Sequence, residues 1–194
     1  SRFGAMTCYA RVSVLFARSD SIYKTLGCDV WDAERDALNF KGDNPVISHP
    51  PCRLWGQMRY FSTAPESEKL LAFFAVGQVR KNGGILEHPA SSTLWQAANL
   101  PAPGKRDSFG GWTLFVSQWW FGHRADKPTR LYIVGIEPED LPPIPFRLGE
   151  PSFTCSQSRN RQTTKREIPK AEREHTPRDF ARWLIEAALK TRSA

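Results

Sequence analysis

Two short apolar runs in this chain end in the same way. Val46-Ile47-Ser48 leads into His49-Pro50-Pro51-Cys52-Arg53, and Gly84-Ile85-Leu86 leads into Glu87-His88-Pro89. Each reads as a buried strand stopped by proline, which has no N–H to give to a sheet ladder. Between them the period changes. Leu70, Leu71, Phe73, Phe74, Val76 and Val79 recur at helical spacing behind Pro65-Glu66-Ser67-Glu68, and Asn82-Gly83-Gly84 supplies a C-cap. Strand, helix and strand in that order predict parallel neighbours with a covering helix. The carboxyl ends of the two strands would then deliver Cys52 and Glu87 to one rim, the place where open α/β sheets bind their ligands.

The remaining elements extend this pattern. Residues 11–17 read as a first strand, and Ser19 or Asp20 as the cap of a short helix that Gly27 closes. Residues 28–32 form a short second strand ending in acid, 33–40 a helical turn or two, and 41–45 a turn. Ser91 or Ser92 would cap another short helix through Ala98, followed by a loop. Trp112 to Val116 reads as a strand that runs into the aromatic cluster of Trp119, Trp120 and Phe121, and Thr129 to Ile136 as a strand able to pair with it antiparallel. The composition shifts at Glu137. Pro138, Pro142, Pro143 and Pro145 precede a polar, basic stretch, 156–170, expected to be an extended or mobile loop. Thr176 as N-cap and Pro177 at the first helical position open a last helix, whose buried face is Phe180, Trp183, Leu184, Ala187 and Ala188.

The predicted organisation is therefore a cloning remnant at 1–5 with Met6 as natural start, an α/β core at 6–136, a Pro-rich then basic loop at 137–175, and a C-terminal helix at 176–194 packed on the core. The apolar share of 40%, with seven Trp and twelve Phe, suffices for a real core. No apolar run approaches the length of a membrane span, and no signal-peptide pattern opens the chain. The formal charge of +7 favours a polyanionic partner, nucleic acid first, against a basic surface with no specific partner. The four cysteines (Cys8, Cys28, Cys52, Cys155) form no CxxC pair, which suggests free thiols in a reducing, cytoplasmic compartment.

Several side chains then invite chemistry. Cys52 follows two stiffening prolines, and Arg53 beside it would favour the thiolate; the plainer reading is an inert buried cysteine. Glu87, partly buried at a strand end, would have a raised pKa and serve as a proton donor, or else sit in a salt bridge to Arg53 or Arg130. His49 and His88 suit packing or hydrogen bonding better than catalysis. A zinc site from His49, Cys52, His88 and His123 has ordinary ligands but no familiar spacing, and no metal is expected. Arg130, with Lys127 and Arg124 just before it, could hold a phosphate or a base carbonyl. Asp29, Asp32 and Glu34 stand where nucleotide sites place an acid for a ribose, or form a solvated acidic turn.

These residues carry a family resemblance. Pro50-Pro51-Cys52 resembles the Pro-Cys nucleophile motif of DNA (cytosine-5) methyltransferases, Leu86-Glu87-His88-Pro89 their Glu-Asn-Val motif, and residues 129–136 the strand that ends their Gln-x-Arg-x-Arg motif, in the same order and at similar spacing. The His-Pro-Pro-Cys and Glu-His-Pro pattern is also similar to phage and prophage proteins. The resemblance implies an α/β fold with a mostly parallel, Rossmann-like (methyltransferase-like) sheet, an antiparallel edge and flanking helices. It also implies that the Cys52 thiolate adds to C6 of a pyrimidine, that Glu87 holds N3 and the exocyclic amine, and that Arg130 holds the base carbonyl. His49, Arg53, His88, Lys127 and Trp120 would complete the substrate site, with Trp112, Trp119 and Trp120 stacking on or replacing a flipped base. Phe16 and Asp32 would face the donor, S-adenosylmethionine. The donor half departs from the family: Phe16-Ala17 is followed by Arg18-Ser19-Asp20 with no glycine before Gly27, the distance from Phe16 to Cys52 is short by about one strand–helix unit of the ~30-residue kind, and no stretch is long enough for a target-recognition domain.

Three functions follow as alternatives. The first is a pyrimidine C5-modifying enzyme acting on DNA or a nucleotide. The second is a methyltransferase-like module that binds DNA or a nucleotide without turnover. The third is a nucleotide-processing enzyme that uses Cys52 for glycosyl transfer or hydrolysis. In each, residues 159–170 would contact the DNA backbone or serve as a solvated linker.

Overall fold

The computed structural model describes residues 8–155 and 164–191. The expected cloning remnant, Arg159 and Arg161 lie outside them. The first half of the chain builds four parallel strands: β1 (Ser13–Leu15), β2 (Asp29–Trp31), β3 (Val46–Ser48) and β4 (Gly84–Pro89). Two longer strands follow, β5 (Trp112–Ser117) and β7 (Pro128–Val134), with the two-residue β6 (Ala125–Asp126) between them. The main sheet has the order β2-β1-β3-β4-β7-β5. Strand β7 is antiparallel to both β4 and β5, so β5 runs with the parallel majority. The predicted antiparallel pairing of β5 and β7 is present and makes the expected antiparallel edge, with β7 one place in and β5 along its outer side.

Strands that are buried on both faces need apolar residues at consecutive positions, and β1, β3 and the start of β4 have them. One face carries Val14, Ile47, Ile85, Leu131 and Ile133. It is covered by α5 (Arg178–Leu189) through Phe180, Trp183, Leu184 and Ala188, and by Tyr23 of α1 (Ile22–Thr25). The other face carries Leu15, Val46, Leu86, Tyr132 and Val134. It is covered by α2 (Lys69–Asn82) through Ala72, Ala75, Val76 and Val79, and by Leu94 and Trp95 of α3 (Leu94–Ala97). Helix α2 ends as expected at Gly83, with φ of 75°. At the next residue, Gly84, a Cβ would overlap the carbonyl oxygen of Val46, so β4 can enter the sheet beside β3 only as glycine.

Boundaries shift in several places. Residues 66–68 form a 3-10 turn before α2, and residues 37–39 another where a helical turn or two was expected. Pro177 is the N-cap of α5 and Thr176 precedes it, one position from the prediction. The segment expected to be loop up to 175 is partly ordered. β8 (Phe153–Thr154) and β9 (Arg166–Glu167) join β6 in a small parallel sheet, and α4 (Lys170–Glu174) follows. No helix among the described residues is long and apolar enough to cross a membrane.

Candidate functional site

The strand order reverses between β1 and β3, since β2 lies to one side of β1 and β3 to the other. The carboxyl ends of β1, β3 and β4 frame the crevice at that point. The chain leaves β3 through His49 and the two prolines, and Cys52 stands at the rim as an exposed residue. Glu87 lies within β4 rather than beyond its end, and alternation along the strand turns it to the α5 face.

On that face the polar groups are joined in a chain. Tyr23 Oη and His49 Nε2 are 2.8 Å apart, and His49 Nδ1 lies 2.9 Å from Glu87 Oε2. With Glu87 ionised, His49 donates from Nδ1 and its Nε2 accepts from the Tyr23 hydroxyl. Gln118 Nε2 donates to Glu87 Oε1 at 3.1 Å and to Thr129 Oγ1 at 3.1 Å. Both oxygens of Glu87 are therefore held. Burial pushes its carboxyl up, but the hydrogen bond and charge of His49, with Lys127 and His88 behind, outweigh that and bring the pKa down to about 2. The expected raised pKa and proton-donor role are corrected on this point: the partner at hand is a histidine that favours the carboxylate, and neither Arg53 nor Arg130 makes the salt bridge.

Cys52 is placed near this carboxylate. Its pKa is raised, first by desolvation of the sulfur and then by the negative charge of Glu87, with Lys127 opposing. The expected thiolate stabilisation by Arg53 is absent, because that guanidinium turns outward and grips Glu68 through two bonds of 2.7 and 2.6 Å. Lys127 is the nearby cation instead, and its Nζ also donates to the carbonyl of Arg173 at 2.9 Å.

Arg130 does not join this group. In the β4–β7 register it sits opposite His88, and Glu87 sits opposite Leu131. Directly paired residues share a face, so Arg130 and His88 lie on the α2 side of the sheet and Glu87 on the α5 side. His49 and His88 are separated in the same way, which divides the ligands of the zinc alternative. Among the described residues no group of three or more His, Cys, Asp or Glu is placed to hold a metal. Burial lowers the His88 pKa to about 4, leaving the ring neutral near pH 7.

The residues expected to face a donor are occupied. Asp32 binds Lys24 Nζ at 2.6 Å and accepts from the backbone N–H of Glu34 and Arg35, both at 3.1 Å. Phe16 has φ of 61°, a conformation that costs a bulky residue on the order of 1–3 kcal/mol, and its ring packs edge-on against Phe74. Arg18 reaches across to Glu174 at 2.7 Å, and Asp20 to His175 at 3.0 Å, so the segment around α4 lies over this loop. These side chains do not fit an S-adenosylmethionine site: the glycine-rich turn is missing, and the acid meant for a ribose is spent on Lys24 and two amides.

Trp120 belongs elsewhere. It packs between Phe115 and Phe146 and lines a cavity of about 620 Å³ with Trp119, Arg147 and Phe153, beyond the β5 edge. Cys52, His49, Glu87 and His88 do not line that cavity. Sequence reasoning missed Tyr23, Gln118 and Thr129. The available signal was Gln118, a lone amide at the head of an aromatic run. Comparison with family models finds none that matches the chain, and comparison with curated proteins and with solved structures finds no match either.

Proposed function

We propose that this chain is a pyrimidine-modifying enzyme that acts through Cys52 on a base in DNA or a nucleotide. The observation that carries the reading is the meeting of Cys52, Glu87 and Lys127 within electrostatic reach at the carboxyl rim of β3 and β4. A mostly parallel sheet whose strand order reverses beside that rim supports a Rossmann-like, methyltransferase-like assignment. Cys52 is a neutral thiol at rest and needs a base, and the group at hand is the His49 imidazole, oriented by Glu87, which takes the thiol proton on Nε2 once that nitrogen gives up the Tyr23 hydroxyl. Its sulfur adds to C6 of the pyrimidine, the electron pair moves to C5, and C5 then takes an electrophile. Glu87 orients His49 in this scheme rather than gripping the base. The chain in this reading supplies the base-activating half and no donor.

The simplest electrophile is a solvent deuteron, and this gives the test. Addition at C6, deuteration at C5, loss of the original C5 proton and expulsion of the thiol return cytosine with deuterium at C5. In heavy water the protein should catalyse C5 exchange in a cytosine oligonucleotide or in deoxycytidine monophosphate, read by mass, and Cys52→Ala should abolish it. Absence of exchange in both substrates sinks the reading. A second reading, a binding module without turnover, is favoured by the occupied state of Asp32 and Arg18. It predicts tight oligonucleotide binding that Cys52→Ala leaves unchanged, with no exchange.

A further inference from the structure

The α2 side of the same rim holds a group of polar side chains that the chemistry above does not use. Ser48 and His88 are buried, at 0% and 1% exposure. The Ser48 hydroxyl and Arg130 Nε have no hydrogen-bond partner, and the ring of His88 meets only the backbone of Pro50 and Pro51, short of normal hydrogen-bond geometry. Strand register brings them together. His88 and Arg130 are directly paired across β4 and β7, and Ser48, paired with Leu86 in β3, lies one step back on the same face.

Arg130 is the most telling of the three. Every other half-buried Arg or Lys among the described residues makes a hydrogen bond, an ion pair or a ring contact. Arg59 reaches Gly56 and Tyr60, Lys69 reaches Glu66, and Arg80 reaches Asp107. Arg130 makes none. Leaving a partly buried charge unpaired is costly. The strand residues around it on this face are Ser48, Leu86, His88, Phe115, Pro128 and Tyr132, none of them acidic. The chain therefore supplies a donor fork, a hydroxyl and an imidazole with no anion to meet them.

We infer that Arg130, with His88 and Ser48, forms an anion subsite for the phosphate of the substrate. A tetrahedral oxyanion has enough oxygens for the guanidinium fork and for donors from the ring and the hydroxyl, a match that arginine makes better than lysine. Its neutral ring lets His88 donate a hydrogen bond beside Arg130 without adding a second positive charge. Phosphate as the anion rests on the nucleotide reading above. Its source is either a free nucleotide or the backbone of a nucleic acid.

Thermal unfolding against inorganic phosphate, at ionic strength held constant with chloride, tests the subsite. The wild-type midpoint should rise and saturate as ligand binds the native state. Arg130→Met should remove that response and also raise the midpoint in phosphate-free buffer, because an unpaired charge has been replaced by an apolar chain of similar length. Loss of a purely structural residue would lower the midpoint instead. Arg130→Lys should keep a response at about tenfold weaker apparent affinity, and the exposed Lys81→Gln should leave it unchanged. A wild type with no saturable response, or an Arg130→Met variant that responds like wild type, overturns the subsite. Deoxycytidine monophosphate and a short oligonucleotide, with deoxycytidine as the phosphate-free control, separate the sources: the true one is the ligand whose binding Arg130→Met weakens, and weakening of neither overturns the proposal. Deuterium exchange without Arg130-dependent phosphate binding removes this inference alone, and phosphate binding without exchange removes only the reaction.

Discussion

The two faces of the sheet, compared at the same rim, are built on opposite principles. On the α5 face the polar side chains of Tyr23, His49, Glu87, Gln118 and Thr129 are joined in one chain of hydrogen bonds, in which Gln118 Oε1 is left without a partner. On the α2 face, Ser48, His88 and Arg130 leave hydrogen-bonding capacity unused. A buried network that is complete makes its geometry rigid, and one that is incomplete is expensive unless something outside the chain completes it. The difference teaches a division of labour. The linked face holds a charged carboxylate in a fixed place near Cys52, and the other face leaves the Arg130 guanidinium unpaired, the feature on which the proposed anion subsite rests.

The comparison can be broken from the linked side first. Glu87→Ala removes the centre of the network, leaving His49 Nδ1 without its acceptor and Gln118 with Thr129 alone, so it should lower stability by about 3 kcal/mol in urea denaturation. A loss below about 0.5 kcal/mol, the range of ordinary surface changes, would show that the chain of bonds is not a unit.

Acid separates the faces next. His88 has its folded pKa depressed to about 4 from an ordinary 6.5, so the unfolded chain binds more protons between those values and stability falls as pH drops through that window. Glu87 is depressed to about 2 from 4.5, so its contribution is intact above 4.5 and is lost below, toward 2. Stability measured against pH should therefore decline in two stages. His88→Leu should remove the upper one and leave the lower. Tyr23→Phe has a smaller effect, about 1–2 kcal/mol from the orphaned His49 nitrogen, and chemical denaturation at neutral pH reads it.

Legibility in the sequence followed the same division. The β-branched runs at 13–15, 46–48, 84–86 and 131–134, with the periodic stretch that became α2, led directly to an α/β fold with parallel strands. The prolines after Ser48 mark the end of β3, and the exposed Cys52 follows them. The face of each polar side chain was not legible. Strands buried on both sides lack the alternation that marks inside from outside, so Glu87 and Arg130 looked equally ready to meet across the site. Only the pairing of Glu87 with Leu131 separates them. The role of Tyr23 was hidden for a similar reason: it sits in a four-residue helix far from His49 in sequence, and nothing local marks its hydroxyl as anything but core.

The position of the last helices has a consequence for how such a chain is made. Helix α5 supplies Phe180, Trp183 and Leu184 to one whole face of the sheet, and Glu174 and His175 tie down the loop after β1. A growing chain that has emerged only as far as β7 has every strand of the main sheet, but over Val14, Ile47, Ile85 and Ile133 it has Tyr23 and its neighbours without the α5 side chains. Residues 170–189 also supply the partners of Arg18, Asp20 and Lys127, so translation acts here as a timer: a product truncated after β7 is a sheet with one greasy side largely bare.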